Sequence, residues 1–311
     1  MDKILCVVGP TASGKTKMAV ELAKVLDGEV LSCDSMQIYK GMVIGTAAPT
    51  EEEMCGIPHH MIGVIDPRSD FSVGRYVEMA DEILQDILSR GKTAILAGGT
   101  GLYLDSLIAG RSFAPYPATG RREALEKEAD EQGIEPILSR LREVDPDAAA
   151  RLHPSDRRRI IRALEIYEET GVTMTEHDRR TRAIPPKYAP CWLGMDYKNR
   201  ADLYARIDLR VDRMLQAGLL DEIRGLLATG IPRSCTAMQA IGYKEFIDAL
   251  ETGGSIEDAA ALCKQHSRNY AKRQLTWFRK NGAVRWILQD PGMDFETVFR
   301  AARREIPFFA D

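Results

Sequence analysis

The stretch that most limits what this chain can become is Gly9-Pro10-Thr11-Ala12-Ser13-Gly14-Lys15-Thr16, which fits the pattern G-x-x-x-x-G-K-[ST]. A short apolar run, Ile4 to Val8, precedes it, and apolar residues recur at helical spacing from Lys15 to Leu26 after it. Strand, glycine loop, helix is the P-loop arrangement. The glycines let backbone N–H groups turn inward around phosphate oxygens, and the helix N-terminus adds its dipole. Lys15 reaches a terminal phosphate and Thr16 can hold Mg2+. The segment is therefore a candidate diphosphate or triphosphate site.

The next elements extend the same pattern. Glu29 to Ser32 reads as a second strand, Arg75 to Ser89 as an amphipathic helix, and Thr93 to Ala97 as a buried strand that stops at Gly98-Gly99-Thr100-Gly101. Alternating strands and helices predict an α/β fold, a P-loop NTPase-like parallel sheet flanked by helices, with ligands at the strand C-termini. No strand ends in the acidic pair that would position Mg2+ and an attacking water, so phosphate binding here does not imply hydrolysis. Asp34-Ser35-Met36-Gln37 follows the second strand and puts a carboxylate and an amide at the same edge. An aspartate there serves as a turn residue more often than as a base. Thr100 alone belongs to an ordinary strand-to-helix turn.

From about Phe113 to Pro186 strand-like runs vanish, and charged helical segments take over at Arg121 to Gln132, Glu135 to Glu143 and Asp156 to Thr170. This predicts an all-helical insertion, residues 113–186, within a discontinuous core of residues 1–112 and 187–311. Cys191 to Met195 can supply another strand, and Leu203 to Gln216 and Ile256 to Lys280 read as long helices.

Composition excludes several classes. No apolar run reaches the roughly 18 to 20 residues of a membrane span, and the N-terminus has no signal-peptide pattern. The six cysteines are scattered without C-x-x-C spacing, which suits the reducing cytoplasm. Cys55, His59 and His60 lack a fourth ligand for zinc. Net charge is −4, so bulk electrostatics do not argue for nucleic acid. Arginines nevertheless crowd at Arg121-Arg122, at Arg157-Arg158-Arg159 with Arg162, and at Arg179-Arg180. Solvated helix faces are the commoner fate of such runs.

Taken in order, GPTASGKT (9–16), DSMQIYKGM (34–42), IGTA (44–47), GGTGLYL (98–104), LHPSDRRRIIRALEIYEETG (152–171), QAIGYKE (239–245) and YAKRQLTWFRK (270–280) resemble the tRNA dimethylallyltransferase family over nearly the full chain. The resemblance implies transfer of the dimethylallyl group from its diphosphate to N6 of adenosine 37, beside the anticodon of tRNAs that read codons starting with U. It implies that the P-loop holds the leaving diphosphate with Mg2+, and that Asp34 acts as the base. Thr100 would touch the bridging oxygen and the incoming nucleotide. An arginine of the helix Leu203 to Gln216 would reach the phosphates, and Arg210 is favoured over Arg206 and Arg213.

The same resemblance gives the arginine clusters a specific role. Base-modifying enzymes extrude their target, so Asp34, Ser35, Met36, Gln37 and Thr100 would surround the flipped base. Arg122 and the run Arg158, Arg159, Ile160, Ile161, Arg162 would grip the anticodon stem-loop. A monomer is expected. The chain departs from the family's MDIGTAKP at Val43 and Ala48. Two alternatives share the P-loop: an adenylate isopentenyltransferase, which needs no arginine-studded arm, and a small-molecule kinase, which needs an arginine lid over a γ-phosphate.

Overall fold

A computed structural model describes residues 1–111 and 119–306. Within these, the chain divides into two compact units, Met1–Ile108 with Lys187–Asp311 and Ala109–Pro186. The expected boundary near Phe113 lies outside the described residues.

The first segment runs β1 (Asp2–Val8), α1 (Lys15–Val25), β2 (Gly28–Ser32), α2 (Glu51–Met54), β3 (His59–His60), α3 (Val73–Ser89), β4 (Thr93–Gly98) and α4 (Gly101–Ile108). The helical unit holds α5 (Arg121–Gln132), α6 (Glu135–Val144), α7 (Pro146–Arg151), α8 (Arg157–Thr170) and α9 (Met174–Arg182). The chain then returns through β5 (Tyr188–Tyr197), α10 (Arg200–Gln216), α11 (Leu219–Ala228), α12 (Lys244–Thr252), α13 (Ile256–Phe278), β6 (Arg285–Gln289) and α14 (Phe295–Arg304).

The strands form one sheet in the order β3-β2-β4-β1-β5-β6, and every adjacent pair is parallel. β1 sits between β4 and β5, and Ile4 to Val8 are fully buried, as an uninterrupted apolar run covered on both faces requires. On one face Leu5, Val7, Ile95 and Leu193 pack against Met18 and Leu22 of α1 and against Val298 and Ala302 of α14. Because all strands point the same way, the ends of β1, β2 and β4 meet at one edge.

The helical unit has its own core of Leu125, Ile137, Leu138, Leu141, Ile160, Ile161 and Leu164. Buried Asp145 caps α7 through the Ala148 N–H at 3.0 Å and accepts the Thr175 N–H at 2.9 Å and hydroxyl at 2.7 Å. One carboxylate thus ties α7 to α9. Among the described residues no helix is long and apolar enough to cross a membrane.

Candidate active site

The phosphate loop leaves β1 through Gly9, whose φ is +142°. A Cβ at that position would stand 2.3 Å from the carbonyl oxygen of Met195, so only glycine lets β1 and β5 stay paired up to the loop. Gly14 adopts φ +88° at the N-cap of α1, and no side chain caps that helix. Its first-turn N–H groups and the positive end of its dipole are left for an anion.

Side chains from distant parts of the sequence hold the loop in place. Gln274 of α13, buried, accepts the Thr11 N–H at 2.8 Å and donates to the carbonyl of Gly99 at 3.1 Å. Gln289 donates to the Ser13 carbonyl at 2.9 Å, and Arg206 to that of Ala12 at 3.4 Å. Arg210 donates to the Thr11 hydroxyl at 3.2 Å and to the Thr46 carbonyl at 3.4 Å. Of the three candidate arginines, Arg206, Arg210 and Arg213, Arg210 is the one that meets Thr11. Arg206 lies over the Tyr197 ring at 5.6 Å, and Arg213 lines a groove along α10 together with Lys15, Thr16, Arg206 and Arg210.

Asp34 leaves β2 in an Asx turn, its Oδ1 accepting the N–H groups of Met36 at 2.9 Å and Gln37 at 3.3 Å. The carboxylate also lines one cavity with Thr11, Lys15, Thr16, Gln37, Arg210 and Tyr270. Turn residue and cavity wall are therefore the same group. Thr100 accepts the Ser35 N–H at 3.1 Å, and its hydroxyl acts to lower the Tyr270 pKa. Ser35 and Met36 line an adjoining, more apolar cavity with Ile207, Val211 and Met214. The Gln37 amide is committed within the protein: it accepts from the Ser32 hydroxyl at 3.1 Å and donates to the carbonyls of Thr46 at 3.4 Å and Ala47 at 3.1 Å.

The electrostatics favour an anion. Burial, reinforced by Arg210 and partly offset by Asp34, lowers the Lys15 ammonium to about 7. Burial likewise lowers Arg210, with Asp34 and Glu53 opposing it. Burial, with Asp34 adding to it, pushes the Tyr270 hydroxyl up to about 12, so it stays protonated.

The residues expected in the helical unit separate into two kinds. Arg158 and Arg159 are exposed at the start of α8. Arg122 and Arg162 both pair at 3.0 Å with the largely buried Glu165. Ile160 and Ile161, expected beside these arginines, are 0% and 2% exposed in the unit's core, so their side chains hold α8 in place. Tyr270 and Gln274 have no role assigned from sequence. They fall four apart on α13 and so on one face, a signal that YAKRQ contains. Of the two family departures, Ala48 is buried, whereas Val43 exposes its side chain and uses its N–H.

Comparisons with known proteins identify the family. Residues 37–281 match the family described as IPP transferase, and residues 2–64 match that described as isopentenyl transferase. The tRNA dimethylallyltransferase of Caldanaerobacter subterraneus subsp. tengcongensis is 45% identical over 296 residues, 94% of each chain. That of Bacillus cereus (strain G9842) is 46% identical, covering 92% of this chain and 90% of the relative. The crystal structure of the tRNA isopentenylpyrophosphate transferase from Bacillus halodurans superposes with TM-score 0.74 at 41% identity, covering 99% of this chain and 97% of that one. A eukaryotic dimethylallyltransferase solved acting on tRNA gives TM-score 0.81 at 30% identity, covering 97% and 78%. With a family match across most of its length and relatives of this identity at near-complete coverage, the chain belongs to the IPP transferase family.

Proposed function

We infer that this chain transfers the dimethylallyl group from dimethylallyl diphosphate to N6 of adenosine 37 in tRNAs that read codons starting with U. The observation that carries the reading is the meeting of two half-buried basic side chains, Lys15 and Arg210, with the uncapped end of α1 in a cavity whose wall includes Asp34. Such a cavity suits a leaving diphosphate beside a base.

In the proposed step the N6 nitrogen attacks C1 of the allyl group as the C1–O bond breaks. The electron pair of that bond leaves with diphosphate, and the N6 proton passes to Asp34. Allylic carbon tolerates developing positive charge, so stabilising the leaving group supplies much of the rate. Backbone N–H groups, Lys15 and Arg210 are fixed in advance for that task. Thr100 is proposed to meet the bridging oxygen and to keep Tyr270 in place.

Thr16 lines the same cavity, and its hydroxyl is proposed to hold Mg2+. No cluster of three His, Cys, Asp or Glu side chains suited to a metal occurs among the described residues. When bound, Mg2+ neutralises charge on the diphosphate.

The anticodon stem-loop is proposed to lie against Arg122, Arg158, Arg159 and Arg162, with the flipped base among Asp34, Ser35, Met36 and Gln37, in a monomeric cytoplasmic enzyme. The experiment is incubation with radiolabelled dimethylallyl diphosphate and either unmodified tRNA or AMP. Label in tRNA alone is expected. Label in AMP would make the chain an adenylate isopentenyltransferase, and label in neither would defeat prenyl transfer.

A further inference from the structure

The loop from Met42 to Ala48 delivers two carbonyls to the site. Thr46 accepts from Gln37 and Arg210, both at 3.4 Å, and Ala47 accepts from Gln37 at 3.1 Å. What holds the loop is on its other side. Glu222 of α11 accepts the N–H groups of Val43 at 2.9 Å and Ile44 at 2.7 Å through Oε2. Its Oε1 accepts the Gly45 N–H at 3.0 Å and the Tyr243 hydroxyl at 2.6 Å. Successive backbone N–H groups converging on one point make an anion nest. Here the protein fills the nest with its own carboxylate.

The surrounding packing is specific. Tyr243 is fully buried, and a Cβ on Gly45 would lie 2.5 Å from its ring, so the ring can back the loop only where residue 45 is glycine. Glu222 lines none of the cavities around the phosphate loop. Its reach toward the site runs through the Val43–Gly45 backbone to the carbonyls of Thr46, which meets Arg210 and Gln37, and Ala47, which meets Gln37.

We propose that Glu222, locked by Tyr243, is a positioning residue for prenyl transfer: it fixes the loop whose Thr46 carbonyl holds Arg210 against Thr11. The proposal rests on reading the Lys15–Arg210 cavity as the diphosphate site. Misplacing a group by about an ångström costs on the order of 100-fold in rate, so an anchor remote from the reacting atoms has a measurable effect.

The test compares Glu222→Ala, Glu222→Gln and Tyr243→Phe with the unmodified chain. Gln retains one acceptor oxygen and Phe removes only the hydroxyl, so both keep the question answerable if the Ala variant fails to fold. We expect Glu222→Gln to raise KM for dimethylallyl diphosphate roughly 10- to 100-fold, leave KM for tRNA unchanged, and speed amide exchange at residues 43–47. Tyr243→Phe should do the same to a smaller degree. Added to Arg210→Ala, Glu222→Gln should cost no more than about twofold, because the two act as a unit. Unchanged KM, an equal rise for both substrates, or full additivity with Arg210→Ala would overturn the anchor. An inactive unmodified chain would instead overturn prenyl transfer, and weaker binding of inorganic pyrophosphate by Glu222→Gln would then still support the anchor, as equal binding would refute it.

Discussion

The ammonium of Lys15 donates to the carbonyl of Pro10, 2.6 Å away in the same loop. The lysine therefore rests on its own backbone, at a pKa of about 7 set chiefly by burial, and must turn to meet a phosphate. A bound diphosphate raises that pKa, so binding above pH 7 should take up protons. Calorimetric titration with inorganic pyrophosphate at pH 8 in buffers of different ionisation heat should show the uptake, and Lys15→Met should abolish it. The stability effect has the opposite sense. Between the folded value near 7 and the unfolded value near 10.5 the unfolded chain binds more protons, so this group makes the ligand-free protein more stable as pH rises through that window.

Asp34 can be separated from its turn by substitution. Asp34→Asn keeps an acceptor for the Met36 and Gln37 N–H groups but cannot take a proton. Single-turnover prenyl transfer should fall by about 10²- to 10⁴-fold, while pyrophosphate affinity stays within about twofold. Near-normal turnover in this variant would remove Asp34 from the chemistry.

Replacing Gln274 by alanine should loosen the phosphate loop from the turn after β4. It leaves the Thr11 N–H and the Gly99 carbonyl without the partner they share. A loss of about 1–3 kcal/mol is expected in urea melts, together with weaker pyrophosphate binding. A stability loss without any change in binding would confine Gln274 to the core.

Neighbours on α8 should respond in opposite ways. Arg158→Ala with Arg159→Ala should weaken tRNA binding and reduce the slope of log K against log salt by about 0.7 to 0.9 for each phosphate no longer neutralised, with stability unchanged. Ile160→Ala should cost about 2–5 kcal/mol in stability. Equal salt slopes before and after the double substitution would return both arginines to solvent.

Glu29 offers a test far from the site. Arg90 first, then His60 at 2.8 Å, holds its carboxyl at about 2 against the cost of burial. This stability is present above the unfolded value of 4.5 and is lost as pH falls toward 2. Arg90→Ala should therefore destabilise more at pH 7 than at pH 3 in urea melts.

Much of this organisation is legible in the sequence because it is local. The P-loop, the aspartate after β2 and the GGTG turn after β4 each follow an apolar run, and parallel pairing gathers the run ends at one edge. β3 and β6 carry no such mark. β3 is two histidines, and β6 is an edge strand, RWILQ, with only its central isoleucine buried. Ile160 and Ile161 show how a charge run misleads. RRRIIR resembles one basic surface, yet helical periodicity turns its isoleucines inward and leaves Arg158 and Arg159 outside. Tyr270, Gln274 and Glu222 act on residues some 170 or more positions away, and nothing local reveals which distant partner a side chain will meet.

The pairing of β5 with β1 bears on how the protein is made. β1 is synthesised before its partner on one side, residues 188–197, which follows only after the helical unit. The glutamines that brace the phosphate loop, at positions 274 and 289, come later still. A nascent chain therefore carries the complete GPTASGKT segment without the braces that shape it until residues 274 and 289 have been added.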